Sequence, residues 1–517
     1  MCIRQHVHIP TFVLLGVCIF CYSTLYQDIT NAIQFVWVLL SVCIMLIWSA
    51  ISSLRGRNRH LIQKNNILFT FCVLGIIEVI YSLLQICCVL PHNFRYGHFA
   101  GSLGNPAIFG MLMSFCSLVS YYFTICSSGP TRRNWCILTI FYVLFIVLSN
   151  SRTAMIASFG AITVIGLIET KLIKHVSPKK SILLGFILFI TFTCLYLYKK
   201  DSADGRILIW SICIDMIKEK PFLGWGTDGF ISQYMFRQAQ YFSEHPDSRF
   251  TQIADVVNIP FNEYLNIAIM FGVLPVALLF VIIIIALNYI CKNKIENKSL
   301  LIGIITCLMI WSLFSYPLHI PFIWFIIAYI TICIVYSGTA IHKTVNVIIL
   351  ICSFIISTIT IKFFYREFQR LYIQKIALKQ GIRIDVFEQS YNDLCSDGLF
   401  LYSYGAALHN IGEYEKSIKI LNECSKHIAD YNVQLLLGDN YQQLGMSDSA
   451  IARYDMASKM IPNRFLPLYY QMRLYKDIGQ NNKAKKMAQN ILSKKIKVDN
   501  TATREIIREA RECLSIK

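Results

Sequence analysis

The class of fold is decided by the stretch at residues 262–290, which reads NEYLNIAIMFGVLPVALLFVIIIIALNYI. Its only charged side chain is Glu263, and a helix of about 20 apolar residues crosses the roughly 30 Å hydrocarbon core of a bilayer. The remainder of the chain has the same character, because 55% of its 517 residues are hydrophobic and only 15% are charged. Soluble domains carry about a quarter charged residues, so the composition predicts an integral membrane protein.

Other apolar runs of similar length lie on both sides of this stretch. We therefore predict an all-α, polytopic transmembrane protein with about eleven spans. They lie near residues 10–26, 31–53, 67–90, 107–127, 135–150, 154–169, 181–198, 262–290, 299–314, 322–338 and 344–362.

The distribution of cations in the short loops predicts the orientation of these spans. Alternate loops carry most of the positive charge, at Arg55, Arg57, Arg59, Lys64, Arg132, Arg133, Lys171, Lys174, Lys179, Lys180, Lys292, Lys294, Lys298 and Lys343. Cytoplasmic loops are the ones enriched in Lys and Arg. We therefore expect the long polar loop 199–261 and the tail after residue 362 to face the periplasm or the cell exterior. The net charge of +18 follows from this bias and a basic tail, and it predicts no nucleic-acid partner.

The tail repeats itself with a period near 34 residues. Gly412, Gly445 and Gly479 recur at equivalent positions, and this period is typical of tetratricopeptide repeats, which are stacked helix–turn–helix units forming an α-solenoid. The sequence predicts a transmembrane domain at 1–362, a linker at 363–396, tetratricopeptide-like repeats at 397–497 and a C-terminal helix or tail at 498–517. Such repeats act either as a spacer or as a surface that binds a protein partner, and both interpretations stay open.

The polar loop 199–261 is where we place the chemistry, because its charged groups face the membrane surface. Its first part predicts an amphipathic helix on that surface, with Asp204 as N-cap and Arg206 at its start. The apolar side chains at helical spacing are Ile207, Trp210, Ile214 and Ile217. Pro221 is expected to end this helix, and the glycines that follow it are expected to turn the chain back.

Several short motifs occur in a fixed order across residues 95–325. They are Gly101-x-x-Gly104-Asn105-Pro106, Ser151-Arg152-x-Ala154, Gly205-Arg206-x-x-x-Trp210, Pro221-x-x-Gly224-x-Gly226-x-x-x-Phe230, Asn262-Glu263-Tyr264-Leu265 with Gly272, and Ser315-Tyr316-Pro317. Each motif alone is weak, but their combination on this topology resembles the O-antigen ligase and polymerase family.

This resemblance implies an enzyme that needs no metal or other cofactor. The family transfers a glycan from an undecaprenyl diphosphate carrier to a lipid A core, a growing polysaccharide or a protein hydroxyl. Arg152 and Arg206 match the family's arginines, and an arginine fork suits diphosphate oxygens. Arg249 in the same loop is a further candidate for diphosphate binding.

One position departs from the family pattern and leaves the proton acceptor open. Ligases of the family carry His immediately before the Asn that matches Asn262, whereas this chain has Phe261. A phenylalanine takes no proton, so the candidate bases are Glu263, His245 or Asp255, with Asn262 retained in the catalytic motif. A reaction driven mainly by departure of the diphosphate is a further alternative.

Two other classes of function are weighed against the transferase. A transporter or flippase needs ionisable or helix-breaking residues in paired positions at mid-membrane depth, and the apolar runs contain few of them. A membrane scaffold without activity, whose repeats bind a partner, is suggested by the loss of His at Phe261. Within the transferase class, a polysaccharide polymerase and a protein O-oligosaccharyltransferase are the alternatives to a ligase.

Overall fold

A computed structural model describes residues 9–20, 32–54, 64–90, 99–170, 196–293, 295–335, 343–379 and 383–515. Every regular element in these residues is a helix. The predicted all-α class is thus confirmed for this part of the chain. The helices before the polar loop are Ile9–Phe20, Ala32–Leu54, Lys64–Ile86, Gly101–Leu103, Pro106–Cys126, Gly129–Leu148 and Arg152–Glu169. The next are Lys200–Glu219, Gly229–Glu244, Glu263–Phe271, Val273–Lys292, Lys298–Phe314, Pro317–His319, Pro321–Val335 and Lys343–Lys379.

Six helices among the described residues are long and apolar enough to cross a membrane. They are Asn65–Ile86, Pro106–Cys126, Gly129–Leu148, Arg152–Glu169, Val273–Lys292 and Val347–Arg370. Shorter apolar helices lie at Val36–Ile47, Lys298–Phe314 and Pro321–Val335. The run predicted at 181–198 falls almost entirely outside the described residues, so the number of about eleven spans stays a prediction.

The opening stretch 262–290 is not one continuous helix. It breaks at Gly272, whose φ is +85°, and the chain resumes as the span Val273–Lys292. A Cβ at Gly272 would collide with the carbonyl oxygen of Phe222, so glycine is required for both backbone conformation and space. The predicted span is therefore wrong in its first third, because a close backbone approach outweighs the apolar pattern there.

The chain packs as two compact units. We call the first the membrane unit, formed by Met1–Leu195, Phe261–Glu263 and Leu278–Glu367. The second, called the loop–tail unit, is formed by Tyr196–Pro260, Tyr264–Ala277 and Phe368–Lys517. The sequence assigned the polar loop to the transmembrane domain, whereas the structure groups it with the tail.

Small residues bring helices of the membrane unit together. A Cβ on Gly110 would lie 2.9 Å from the Cβ of Ala154, and one on Gly303 would lie 2.6 Å from Cγ1 of Ile165. The helix Arg152–Glu169 thus approaches both Pro106–Cys126 and Lys298–Phe314 at glycines. Close packing through small residues is the usual way in which membrane helices associate.

Helical hairpins follow one another in the tail. Its helices are Ile384–Leu394, Gly398–Asn410, Tyr414–His427, Tyr431–Gln443, Ser447–Met460, Leu466–Asp477, Asn481–Ser493 and Thr501–Ser515. Gly412, Gly445 and Gly479 each join two helices with φ of +84°, +72° and +75°, as expected for a residue that ends a helix in the left-handed conformation. A Cβ on Gly405 would meet Leu421 at 2.6 Å, so this position brings the first pair into contact. The assignment to the tetratricopeptide class stays a prediction.

The predicted linker 363–396 is largely helical. Residues 363–379 continue the helix Lys343–Lys379, and Ile384–Leu394 forms a separate helix. Phe387 is buried and its ring lies parallel to that of Tyr404 with centroids 5.3 Å apart. The apolar core of the tail therefore begins before residue 397, because this segment has an amphipathic face to bury.

Candidate functional site

The motif at Gly101–Pro106 encloses a buried carboxylate of the membrane unit. Glu78 accepts hydrogen bonds from the backbone amide of Ser102 at 2.7 Å and from its hydroxyl at 3.0 Å. Gly101 has a φ of +62°, and a Cβ there would collide with the Glu78 carboxylate. Asn105 then caps the helix Pro106–Cys126 by accepting from the Ala107 amide at 2.8 Å. The motif therefore lies at the start of a helix, and its first glycine makes room for Glu78.

Arg152 begins a helix whose start is defined by Ser151. The Ser151 side chain is the N-cap and accepts from the Ala154 amide at 3.4 Å. Arg152 is half-buried as the first residue of Arg152–Glu169. The sequence Ser-Arg-x-Ala therefore places a cation at the end of a membrane-capable helix, as predicted.

Glu263 lies in the membrane unit against the loop that contains Ser315-Tyr316-Pro317. Its carboxylate is only 3% exposed, and Oε1 accepts from the backbone amide of Leu318 at 2.8 Å. The second oxygen, Oε2, lies 3.9 Å from Nε2 of His319. This carboxylate and imidazole therefore form a close pair that the sequence motifs do not predict.

Aromatic and amide side chains surround this pair. The ring of Phe261 meets that of Tyr316 edge-on at 5.7 Å, and Tyr316 meets His319 in the same manner at 6.4 Å. Asn105 donates to the Tyr316 hydroxyl at 3.3 Å. Phe261 has a φ of +53°, which is unusual for a bulky residue, while its neighbour Asn262 is buried. Phe261, which stands where the family has histidine, and its neighbours are thus held in a specific arrangement.

In the loop–tail unit, the predicted amphipathic helix begins earlier than expected. It runs over Lys200–Glu219, so Asp204 is not its N-cap and Arg206 is not at its start. Asp204 is instead buried within the helix and accepts from the Tyr196 hydroxyl at 2.7 Å. The Tyr196 hydroxyl, eight residues earlier, supplies a hydrogen-bond partner for Asp204, so this side chain is satisfied inside the helix without capping it.

The face predicted to be apolar on this helix is largely exposed. Ile207 and Ile214 are 42% and 46% exposed, whereas Leu208 and Ile212 are buried within the unit. Trp210 donates from Nε1 to the carbonyl of Pro260 at 3.0 Å. The helix therefore has two apolar faces, one packed in the unit and one left at the surface.

The Pro-x-x-Gly-x-Gly motif docks against the segment that precedes the span Val273–Lys292. The amides of Trp225 and Gly226 donate to the carbonyls of Ile269 at 2.7 Å and Met270 at 3.0 Å. Gly224 and Gly226 have φ of +66° and +87°. The predicted turn is thus correct, and its glycines allow two backbone segments to pair.

His245 and Arg249 both contact neighbouring aromatic rings. The His245 ring stacks on Tyr241 with centroids 4.8 Å apart, and its Nδ1 lies 3.1 Å from the Tyr241 carbonyl. The Arg249 guanidinium lies 4.8 Å from the centre of the Phe250 ring. His245 is the C-cap of the helix Gly229–Glu244, so its ring is held at the end of that helix.

Asp255 is paired with cations from the tail. Arg464 donates to its Oδ1 at 3.1 Å, and Lys497 lies 3.5 Å from its Oδ2. Burial opposes ionisation, but the hydrogen bonds from the Val256 amide and Arg464, with the charge of Lys497, hold the pKa of Asp255 below its usual value. A carboxylate held in its charged form by two cations is a weak proton acceptor, which disfavours Asp255 as the base.

The tail makes buried polar contacts with the loop within the same unit. Gln238 donates from Nε2 to the carbonyls of Met460 at 2.7 Å and Asp255 at 3.2 Å. Asn463 donates to the carbonyl of Ala254 at 2.5 Å. The amide of Ala429 donates to the carbonyl of Ile231 at 2.9 Å. The helices of the tail therefore bind the chain's own polar loop.

Comparison with known families bears on the segment that carries most of these motifs. Residues 137–281 match the family model described as O-antigen ligase. The match supports the O-antigen ligase family. Among curated proteins, no sequence matches the chain. The segment similar to O-antigen ligases includes Arg152, Arg206, His245, Asn262 and Glu263, whereas Gly101–Pro106, Ser315–Pro317 and the tail lie outside it.

The predicted site residues are distributed over the two units. Asn262 and Glu263 lie in the membrane unit, where Glu263 contacts Leu318 and His319, and Arg206, His245 and Arg249 belong to the loop–tail unit. His319 was missed by the sequence motifs. Its one sequence signal is a titratable side chain two residues after Pro317, in a short polar break between apolar helices.

Proposed function

We propose that this protein is an O-antigen ligase-like transferase. It moves a glycan from an undecaprenyl diphosphate carrier to an acceptor hydroxyl on the periplasmic face of a bacterial inner membrane. The single observation that carries the proposal is the match of residues 137–281 to the O-antigen ligase model. Membrane-capable helices on both sides of the polar loop add support, because a lipid-linked donor requires an enzyme at the bilayer.

The proposed residues divide between two chemical tasks, which are binding of the diphosphate and action on the acceptor. Arg152, Arg206 and Arg249 bind the diphosphate, since a guanidinium pairs with two oxygens at once and keeps its charge near the membrane. The diphosphate is a good leaving group, so stabilising its departing charge and orienting the acceptor hydroxyl supply much of the rate. Asn262 and Glu263 are proposed to act on the acceptor side, with His245 as an alternative base.

The acceptor defines which enzyme of this class the protein is. A lipid A core makes it a ligase, a growing polysaccharide makes it a polymerase, and a protein hydroxyl makes it an O-oligosaccharyltransferase. The donor is in each case a lipid-linked glycan, and membrane lipids surround the helices. A scaffold without activity is the second candidate, and Phe261 at the family's His position is the observation that favours it.

Analysis of the glycans made by a strain that lacks this protein identifies the acceptor. We expect undecaprenyl-linked glycan to accumulate, because its consumer is missing. Loss of lipopolysaccharide side chains, shortened polymer and unglycosylated protein then distinguish a ligase, a polymerase and an O-oligosaccharyltransferase. An unchanged glycan profile without accumulation of the lipid-linked donor would refute the transferase and favour the scaffold.

The proposed orientation places the polar loop and the tail outside the cytoplasm. We expect a cysteine introduced at Ser243 or Gln480 to react with a membrane-impermeant maleimide in intact cells, since both positions are exposed. The background must first be cleared of the native 19 cysteines. A cysteine at Arg132, exposed in the cation-bearing first turn of the helix Gly129–Leu148, is the matched control and should react only after lysis. The reverse pattern of labelling would invert the topology.

A further inference from the structure

The loop between two apolar helices of the membrane unit presents an imidazole to a buried carboxylate. Residues Pro317–His319 form a turn of 3-10 helix after Lys298–Phe314. The amide of Leu318 donates to Oε1 of Glu263 at 2.8 Å, and Nε2 of His319 lies 3.9 Å from Oε2. Both carboxylate oxygens of Glu263 are therefore directed at this one loop.

Further contacts hold the loop in place. The indole of Trp324 donates to the Leu318 carbonyl at 2.8 Å. The backbone amides of His319 and Ile320 donate to the carbonyls of Tyr316 at 3.1 Å and Pro317 at 3.0 Å. Both the amide and the carbonyl of Leu318 thus have hydrogen-bond partners. These bonds and those within the turn hold His319 in position.

His319 and Glu263 differ in their access to solvent. The Glu263 side chain is 3% exposed, whereas that of His319 is 33% exposed. The imidazole is therefore the group of this pair that is exposed to solvent. Burial lowers the pKa of His319 below its ordinary value, which favours the neutral ring. A neutral imidazole is the form that takes a proton.

We propose that His319 is the general base of the transfer reaction and that Glu263 is its positioning residue. This inference rests on the proposed function, because it assigns the proton acceptor that Phe261 does not provide. It differs from the assignments made from sequence, in which Glu263 itself or His245 takes the proton.

The proposed step balances as a substitution at the anomeric carbon. The acceptor oxygen forms a bond to that carbon while the bond to the diphosphate oxygen breaks, and the electron pair leaves with the diphosphate. The hydroxyl proton passes to His319. If Nε2–H faces Glu263, the basic nitrogen is Nδ1, and the carboxylate stabilises the imidazolium that forms. The separation of 3.9 Å must then shorten, as catalytic hydrogen bonds often do when substrate binds.

The test uses the full-length protein in membranes, with lipid-linked glycan extracted from the deletion strain as donor. His319→Gln should lower the turnover number about 100-fold or more, the usual contribution of a general base, with little change in the KM for the donor. Glu263→Gln should lower turnover less, because its amide oxygen still accepts from Leu318. The double variant should resemble His319→Gln alone, since two residues that act through one another are not additive.

Chemical rescue distinguishes a base from a structural residue. His319→Gly should regain activity when imidazole is added, whereas a variant that has merely lost packing should not. His427→Gln, in the tail, is the matched control and should keep wild-type turnover. Variants are compared only where their unfolding temperature in detergent equals that of the wild type. His319→Asn replaces His319→Gln if the latter fails this condition.

The outcomes separate this inference from the proposed function. Wild-type transfer together with full activity of His319→Gln or His319→Asn would overturn the inference alone. Collapse of transfer in His245→Gln, with His319 variants unaffected, would assign the base to His245. Absence of transfer and of donor consumption by the wild-type protein would overturn the proposed function, and the inference with it.

Discussion

Replacing Arg206 with lysine should lower glycan transfer about tenfold or more. The change keeps a positive charge but removes the planar fork that pairs with two phosphate oxygens. Loss of one good charge-assisted contact costs about 1.5–3 kcal/mol, and each 1.36 kcal/mol is a factor of ten in rate. Arg206 is half-buried in the helix Lys200–Glu219, so its side chain emerges from a rigid element.

Arg152→Ala should have an effect of the same order. Arg152 begins the helix Arg152–Glu169, and alanine removes its charge while remaining a good first-turn residue. We expect turnover of the lipid-linked donor to fall in both variants. The measurement is product formation per amount of protein in membranes of the deletion strain complemented with each variant.

A surface arginine provides the matched control for these substitutions. Arg504 pairs with Asp499 at 2.7 Å, and its side chain is 71% exposed. Exposed pairs of this kind contribute little, so Arg504→Lys should leave transfer unchanged. Wild-type transfer by both Arg206→Lys and Arg152→Ala at equal expression would remove the two arginines from the mechanism and favour the scaffold.

Local signals in the sequence predicted the recurring glycines of the tail and the turn after Pro221, but they misplaced the start of the helix Lys200–Glu219. Gly412, Gly445 and Gly479 end helices in the left-handed conformation, and Ser151 and Asn105 accept hydrogen bonds from the helices that follow them. These features depend on a few adjacent residues, because a cap or a positive φ is satisfied within one turn of chain.

Contacts between distant segments were not predictable in the same way. Asp204 looked like an N-cap, yet Tyr196 supplies its partner and the helix continues past it. Gly272 interrupts an apolar run because Phe222 approaches it, about 50 residues earlier in the chain. Hydrophobic periodicity reports which face is apolar, but it does not report which other segment covers that face.

The candidate site shows the same difference between local features and contacts of distant segments. The motifs placed Asn262 and Glu263 correctly at a helix start, since their neighbours are local. The pairing of Glu263 with His319 spans more than 50 residues, and one sequence without its relatives carries no signal for such a contact. The docking of the tail on the loop is likewise a property of folded surfaces.

The second large effect is expected from Asn463→Asp, at the contact between the tail and the loop. Asn463 is buried and donates from Nδ2 to the carbonyls of Ala254 at 2.5 Å, Thr251 at 3.3 Å and Gln252 at 3.4 Å. Aspartate has the same shape but no donor, so it directs a negative charge at three carbonyl oxygens. Three buried carbonyl oxygens that face a carboxylate cost about 3 kcal/mol, although Lys497, which donates to the Ala254 carbonyl at 3.4 Å, offsets part of the charge.

This cost weakens the docking of the loop on the tail. About 3 kcal/mol changes an equilibrium roughly 100-fold, so the contacts of residues 251–255 with the tail should open about 100-fold more often. We expect faster amide hydrogen exchange over residues 229–260 in the full-length protein in detergent. Transfer should fall with it, because Arg206 and Arg249 lie in the same loop.

A surface asparagine of the tail separates this effect from a general change in charge. Asn490 is exposed on the helix Asn481–Ser493, and Asn490→Asp should alter neither hydrogen exchange nor transfer. Faster exchange with full transfer in Asn463→Asp would mean that docking stabilises the loop without serving the reaction. Unchanged exchange would contradict the contact itself. Faster exchange together with lower transfer would make the tail an internal support for the site. A partner-binding surface would then have to use the faces of the repeats that the loop leaves uncovered.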